Sequence, residues 1–252
     1  MQERYFDINR DGCSIRCKLY RDPDREIRRV VVFGHGFGGH RDNRAAARFA
    51  GMVLDKHRDT ATLCFDWPCH GSDARKKLSL DDCDHYLSLV LSHVREALGV
   101  EEIYGYATSF GGYLFLKYLA EHGSPFRRLA LRNPAVGMYE VLTRAILTEE
   151  AQKQLDRGKE VEAGFDRKIR IGSAFLESLR EADIRRCDYL EQAEDILIVQ
   201  GTRDEIVPFE MVQRFADENL IELVAVEGAD HRFQDPHRME LAIKAICAFF
   251  WP

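Results

Sequence analysis

Nowhere in the 252 residues does an uninterrupted apolar run approach the roughly 18 that a membrane-crossing helix needs. A basic surplus is missing too: 36 Lys and Arg stand against 42 Asp and Glu, a net charge of -6. Nothing in that balance suggests the electrostatic footprint of a nucleic-acid binder or a basic patch for anionic lipid. Met1–Arg10 is polar and charged, without the apolar stretch of a secretory leader, so a cytoplasmic location is expected. Seven cysteines, odd in number and scattered without a framework, suit reduced thiols rather than disulfide staples. Cys13 and Cys17 are a tempting pair, but they lie in an alternating, strand-like segment. Four residues along a strand span about 13 Å, too far to share one ion, so no metal is expected there. Internal repeats and low-complexity tracts are absent.

With 45% hydrophobic and 31% charged residues the chain is not disordered, and its length suits one α/β domain with helices on both faces of a sheet. Arg4–Ile8 and Cys13–Tyr20 flank the turn residues Arg10-Asp11-Gly12 and predict a hairpin. Val30–Phe33 is a continuous apolar run ending in glycine, the mark of a central parallel strand. Further strands are expected at Thr60–Phe65, Glu102–Ala107, Arg128–Leu131, Ile196–Gln200 and Leu220–Val226. Helical segments alternate with them at Asn43–Lys56, Leu80–Leu98, Phe110–His122, Phe209–Glu218 and Met239–Phe250. Eight strands in this rhythm predict a doubly wound, mostly parallel eight-stranded sheet, an architecture that binds ligands at the carboxyl ends of its strands. The interval from Pro134 to about Leu190 breaks the rhythm with helical periodicity and no convincing strand. A connection of that length is expected to be a small cap or lid. The closing Phe249-Phe250-Trp251 is expected to pack into the core with the last helix.

Four segments, each just after a strand, carry chemistry. In Ile103–Gly112 a strand runs into a helix with Ser109 at the joint, flanked two residues away by the small Ala107 and Gly111. A strained elbow that exposes a nucleophile needs small flanks, and the usual first flank is glycine; Ala107 adds a methyl group. Gly34-His35-Gly36-Phe37-Gly38-Gly39 follows the central strand and lacks the lysine and the glycine spacing of nucleotide loops. The backbone N–H groups of Phe37 and Phe110 would form an oxyanion hole. Asp204, in Gly201–Pro208, and His231, in Gly228–Phe233, complete a nucleophile, base and orienting-acid set in the order Ser, Asp, His. Asn133, after the preceding strand, is an amide and cannot supply the acid's charge, and His237 lies too close to the last helix to be the better base. Cys69 beside His70 is expected to be loop structure, since adjacent side chains rarely face each other.

With these residues placed, the chain resembles the α/β-hydrolase superfamily over nearly its full length. Asp66–Asp73 is similar to the Asp-x-x-Gly-His-Gly-x-Ser loop of those proteins. Gly34–Asn43, Ile169–Asp183, Gly201–Pro208 and Gly228–Phe233 are similar to the small cinnamoyl/feruloyl esterases and serine aminopeptidase-like hydrolases. The resemblance implies Ser109, Asp204 and His231 as the catalytic set, a core of 1–136 and 187–252, and a cap over 137–186. A small-molecule ester is the expected substrate, and no cofactor is expected. An amidase or aminopeptidase, a carbon–carbon bond hydrolase, or a non-catalytic binder on the same fold are the alternatives. Tyr139, Val207 and Arg132 are candidate substrate contacts. Arg132 and Arg232 follow strands at the active edge, where an arginine meets either a substrate carboxylate or, more commonly, a neighbouring acid. In the cap, Met138, Tyr139, Val141, Leu142, Ile146, Phe165 and Phe175 either face a pocket or, the commoner role, glue the cap to the sheet.

Overall fold

The structure is a computed structural model that describes residues 1–164 and 167–252. The chain opens with a hairpin, β1 (Gln2–Arg10) and β2 (Cys13–Arg21). Its two-residue turn, Asp11-Gly12, has positive φ at both positions, which matches the twist of the paired strands. There follow β3 (Arg29–Gly34), α1 (Arg44–Lys56), β4 (Thr60–Phe65), α2 (Leu80–Glu96), β5 (Glu102–Thr108), α3 (Phe110–His122) and β6 (Leu129–Arg132). An insertion then carries α4 (Met138–Val141), a wide helical turn at Leu142–Ile146, α5 (Glu149–Asp156), β7 (Val161–Ala163), β8 (Ile169–Ile171) and α6 (Ser173–Glu181). The core resumes with β9 (Ile196–Gly201), α7 (Phe209–Glu218), β10 (Glu222–Val226) and α8 (Pro236–Phe250).

Eight strands form one sheet in the order β1-β2-β4-β3-β5-β6-β9-β10. The β1–β2 and β2–β4 pairs are antiparallel and the rest parallel. Strands β3, β4 and β9 are buried on both faces because helices cover both. On one face α1 and α8 pack through Phe49, Ile243 and Phe250 against Val31, Phe33 and Tyr106. On the other, α2, α3 and α7 pack through Leu87, Phe115 and Phe215 against Val32, Leu63 and Ile198.

The insertion is not purely helical. The β7–β8 hairpin within it buries Val161, Ala163, Ile169 and Ile171 on one side. Strands of three residues are too short to display a period of two in the sequence, which is why helical periodicity was all that showed there. Met138, Val141, Leu142 and Phe175 are buried in the same apolar cluster as Phe110 and Tyr113 of α3, so they fasten the insertion to the sheet. Phe165 lies outside the described residues. Among the described residues no helix is long and apolar enough to cross a membrane.

Candidate active site

Ser109 joins β5 to α3 with φ 52° and ψ -118°, a conformation that an L-residue adopts only when its surroundings enforce it. The enforcement is visible on both sides. A Cβ at Gly111 would lie 2.4 Å from the Gly34 carbonyl oxygen, so glycine there lets the start of α3 rest directly on the end of β3. Ala107, which replaces the usual glycine, pairs in register with Gly34. A Cβ at position 34 would sit 2.8 Å from the Phe115 ring and 3.3 Å from the Ala107 Cβ, so the glycine on the neighbouring strand leaves room for both.

The Ser109 hydroxyl lies 3.0 Å from His231 Nε2. On its other edge His231 Nδ1 is 2.8 Å and 3.0 Å from the two oxygens of Asp204. With Nδ1 donating to the carboxylate, Nε2 is left to accept the serine proton. Asp204 is fully buried at its side chain and takes further hydrogen bonds from the N–H groups of Ile206 and Val207, at 2.9 and 2.8 Å. The Gln200 amide donates to it at 3.2 Å. Its lone pairs are thus filled from every side, which fixes the plane of the carboxylate and through it the imidazole.

The loop after β3 lies against the serine: a Cβ at Gly36 would come within 3.2 Å of Ser109 Cβ. Two buried histidines support it. His35 Nδ1 donates to the Gly36 carbonyl at 2.8 Å while its Nε2 accepts the Trp67 N–H at 3.3 Å. His70 donates from Nδ1 to the Pro68 carbonyl at 2.8 Å. Burial pushes both rings down to about 3, so they stay neutral donors rather than bases. The Phe37 ring packs edge-on against Phe110 and His70, holding the two segments whose N–H groups were expected to stabilise an oxyanion. Phe110, as the first residue of α3, has no intrahelical acceptor for its N–H. Cys69 is not a nucleophile partner for His70; burial and Asp73 raise its thiol to about 11.

A cavity of about 1230 Å³ opens above Ser109 and His231, walled by the Gly36–Gly39 loop and the beginnings of α1 and α8. Arg132 lines it, as does Ile146 from the insertion. Two expected substrate contacts do not. Val207 is fully buried and serves Asp204 through its backbone. Tyr139 faces a separate cavity of about 230 Å³ beside Arg180, whose guanidinium donates to its hydroxyl at 2.6 Å. Asn133, an amide that cannot serve as the acid, has a structural part in the site. Its amide donates to the His231 carbonyl at 2.9 Å and accepts from the Gly201 N–H at 2.9 Å, with φ 47°. An asparagine, tolerant of the left-handed region, directly after a strand at the active edge was the available signal.

Asp84 of α2 and Glu121 and His122 at the far end of α3, about 20 Å along that helix from Ser109, place three metal-ligand side chains together. The His122 imidazole is already bonded to the Asp84 carboxylate at 3.0 Å.

No curated protein sequence matches the chain. Among solved structures, Est1E from Butyrivibrio proteoclasticus with bound ferulic acid superposes with a TM-score of 0.77 at 21% identity, covering 97% of each chain. A putative hydrolase from Agrobacterium vitis S4 gives 0.76 at 18% identity, covering 98% of each. Mouse alpha/beta hydrolase domain-containing protein 10 gives 0.72 at 16%, again covering 98% of each. The sequence pattern of the alpha/beta hydrolase fold family matches residues 29–167, a stretch running from β3 through the serine elbow into the insertion, and the chain belongs to that family.

Proposed function

We propose that this chain is a serine hydrolase that cleaves a carboxylic ester through an acyl-enzyme on Ser109. The observation that carries the reading is the unbroken relay from the Ser109 hydroxyl through His231 to the buried Asp204, at 3.0 and 2.8 Å, beneath an open cavity. His231 takes the hydroxyl proton as the oxygen attacks the ester carbonyl. Asp204 holds the ring in the required tautomer and stabilises the imidazolium that forms. Negative charge on the former carbonyl oxygen is met by the N–H groups of Phe37 and Phe110, with the N-terminal end of α3 adding its partial positive charge. The alcohol leaves with the proton from His231, and water, deprotonated in turn by His231, frees the acid.

The location of Ser109 supports the nucleophile assignment beyond its contacts. A strained φ at a serine is costly to maintain, and it serves no packing purpose that glycine would not serve better. Est1E, described with ferulic acid bound, supports a carboxylic acyl group as what the site handles. Incubation with a fluorophosphonate probe tests the proposal: stoichiometric phosphonylation mapped to Ser109, together with turnover of p-nitrophenyl esters, is the expected result. A folded protein that neither labels at Ser109 nor turns over esters would instead be a binder built on this fold.

A further inference from the structure

Arg132 is hard to explain by folding alone. It ends β6 at the carboxyl edge of the sheet, lines the cavity above Ser109, and is only 6% exposed. Among the described residues no carboxylate lies within 4.0 Å of its guanidinium. Its Nη1 points to the Met239 sulfur at 2.9 Å, its plane lies over the Phe233 ring at 5.3 Å, and its Nε is buried without a partner. A thioether is a weak acceptor, and a desolvated cation without an anion is strongly unfavourable. On the neighbouring strand the Tyr106 hydroxyl is likewise buried without a partner.

The rest of this wall has the same polarity. The start of α1 faces the cavity with no acidic residue in its first turn, and Arg44 and Arg48 stand at the rim. The two acids that line the cavity, Asp42 and Glu205, are engaged elsewhere. Asp42 accepts from the Tyr5 hydroxyl and Lys18, and Glu205 accepts the His231 N–H. The anion that would complement Arg132 is therefore absent from the described chain and has room to enter from the cavity.

We propose that Arg132 receives a carboxylate of the substrate, so that the ester this site hydrolyses bears a free carboxylate near the scissile bond. The inference rests on the serine hydrolase reading above. A planar guanidinium at the end of a strand is a rigid, always charged partner for a planar carboxylate, and exclusion of water from the site strengthens the pairing. Neutral and anionic esters would then partition at the binding step and in the transition state alike.

The test uses matched esters: mono-p-nitrophenyl glutarate against its neutral methyl ester, and 3-acetoxybenzoate against methyl 3-acetoxybenzoate. These place the charge on the acyl and leaving sides respectively. After correction for hydroxide reactivity, the wild type should favour the anionic member of one pair in kcat/KM by about 10- to 100-fold. The R132M variant should bring that ratio close to one. Free glutarate should also slow fluorophosphonate labelling of Ser109 in the wild type, whereas dimethyl glutarate should not; this arm needs no variant and decides the matter if R132M fails to fold. Equal kcat/KM within both pairs, or a preference that survives in folded R132M, would overturn the assignment of Arg132 while leaving Ser109 as nucleophile. Failure of both ester cleavage and Ser109 labelling would remove the hydrolase reading itself.

Discussion

Asn133 donates from its side-chain amide to the backbone carbonyl of His231 at 2.9 Å, tying the end of β6 to the loop that carries the histidine. The same amide reaches the Asp230 carbonyl at 3.3 Å, and its oxygen accepts the N–H of Gly201 at the end of β9. One side chain thus locks the loop bearing His231 to the strand that leads to Asp204. Removing it should leave the imidazole intact but poorly aimed. Asn133→Gly is expected to lower kcat/KM on a p-nitrophenyl ester by about 10- to 100-fold and stability by about 1–3 kcal/mol. Asn133→Ala should cost about 1 kcal/mol more, because its φ of 47° strains any Cβ-bearing residue. Urea titrations compare the variants, and a wild-type kcat/KM in Asn133→Gly would remove Asn133 from the positioning of His231.

The strain at Ser109 predicts a split between stability and activity. Ser109→Ala should reduce kcat by about 10³–10⁶ while keeping the positive φ that a methyl side chain dislikes. Ser109→Gly, equally inactive, should melt higher than Ser109→Ala by an amount worth about 1–2 kcal/mol. Calorimetry on the two inactive proteins reads this directly. Equal melting temperatures would mean that the serine conformation is relaxed rather than enforced.

Asp204→Asn isolates the tautomer. An amide facing Nδ1 can present its N–H and turn the ring so that Nε2 carries the proton, which leaves nothing to accept from Ser109. The expected loss in kcat is about 10⁴-fold. Raising the pH should not rescue it, since the fault is the position of a proton and not its number. A rate-pH profile of the variant that returns to wild-type turnover in alkali would contradict the role given to Asp204.

The sheet was legible because the apolar runs of β3 and β9 each close on a glycine, and because a period of 3.6 is easy to see in α1 or α7. The site was legible for a different reason: Ser109, Asp204 and His231 each follow a strand whose end the fold brings to one edge. What stayed hidden depends on contacts between distant segments. The β7–β8 hairpin is too short to declare itself. Val207 looked like a substrate contact from its place beside Asp204, yet only the three-dimensional path of the loop turns its side chain inward and its N–H to the carboxylate. The methyl that Ala107 adds to the elbow is eased by its register partner, Gly34, whose missing Cβ would have crowded it at 3.3 Å. Compensation of that kind cannot be read along one strand.

That compensation has a measurable consequence. Ala107→Gly should restore the common motif and gain nothing, with kcat/KM within about threefold of wild type and a stability loss of about 0.5–1 kcal/mol from glycine in a strand. Gly111→Ala should be the damaging change, since its methyl would meet the Gly34 carbonyl oxygen at 2.4 Å with no flexible side chain to yield. A loss of about 1–3 kcal/mol with slowed Ser109 labelling is expected. A neutral Gly111→Ala would show that α3 does not rest on β3 as closely as described.

The two buried histidines make the fold sensitive to acid. Burial lowers His35 and His70 from 6.5 to about 3, so between those values the unfolded chain binds protons that the folded chain refuses. Their contribution is therefore intact above about pH 6.5 and is lost as the pH falls towards 3, by about 1.4 kcal/mol per pH unit for each ring. His70→Asn tests one ring by itself, because the asparagine amide can keep the bond that Nδ1 makes to the Pro68 carbonyl while removing the titrating group. Urea unfolding at pH 6, 5 and 4 should give a shallower decline for His70→Asn than for wild type, differing by about 1.4 kcal/mol per unit. Parallel declines would mean that His70 takes up its proton in the folded state as readily as in the unfolded one, and that the support beneath the Gly36–Phe37 loop does not depend on a neutral ring.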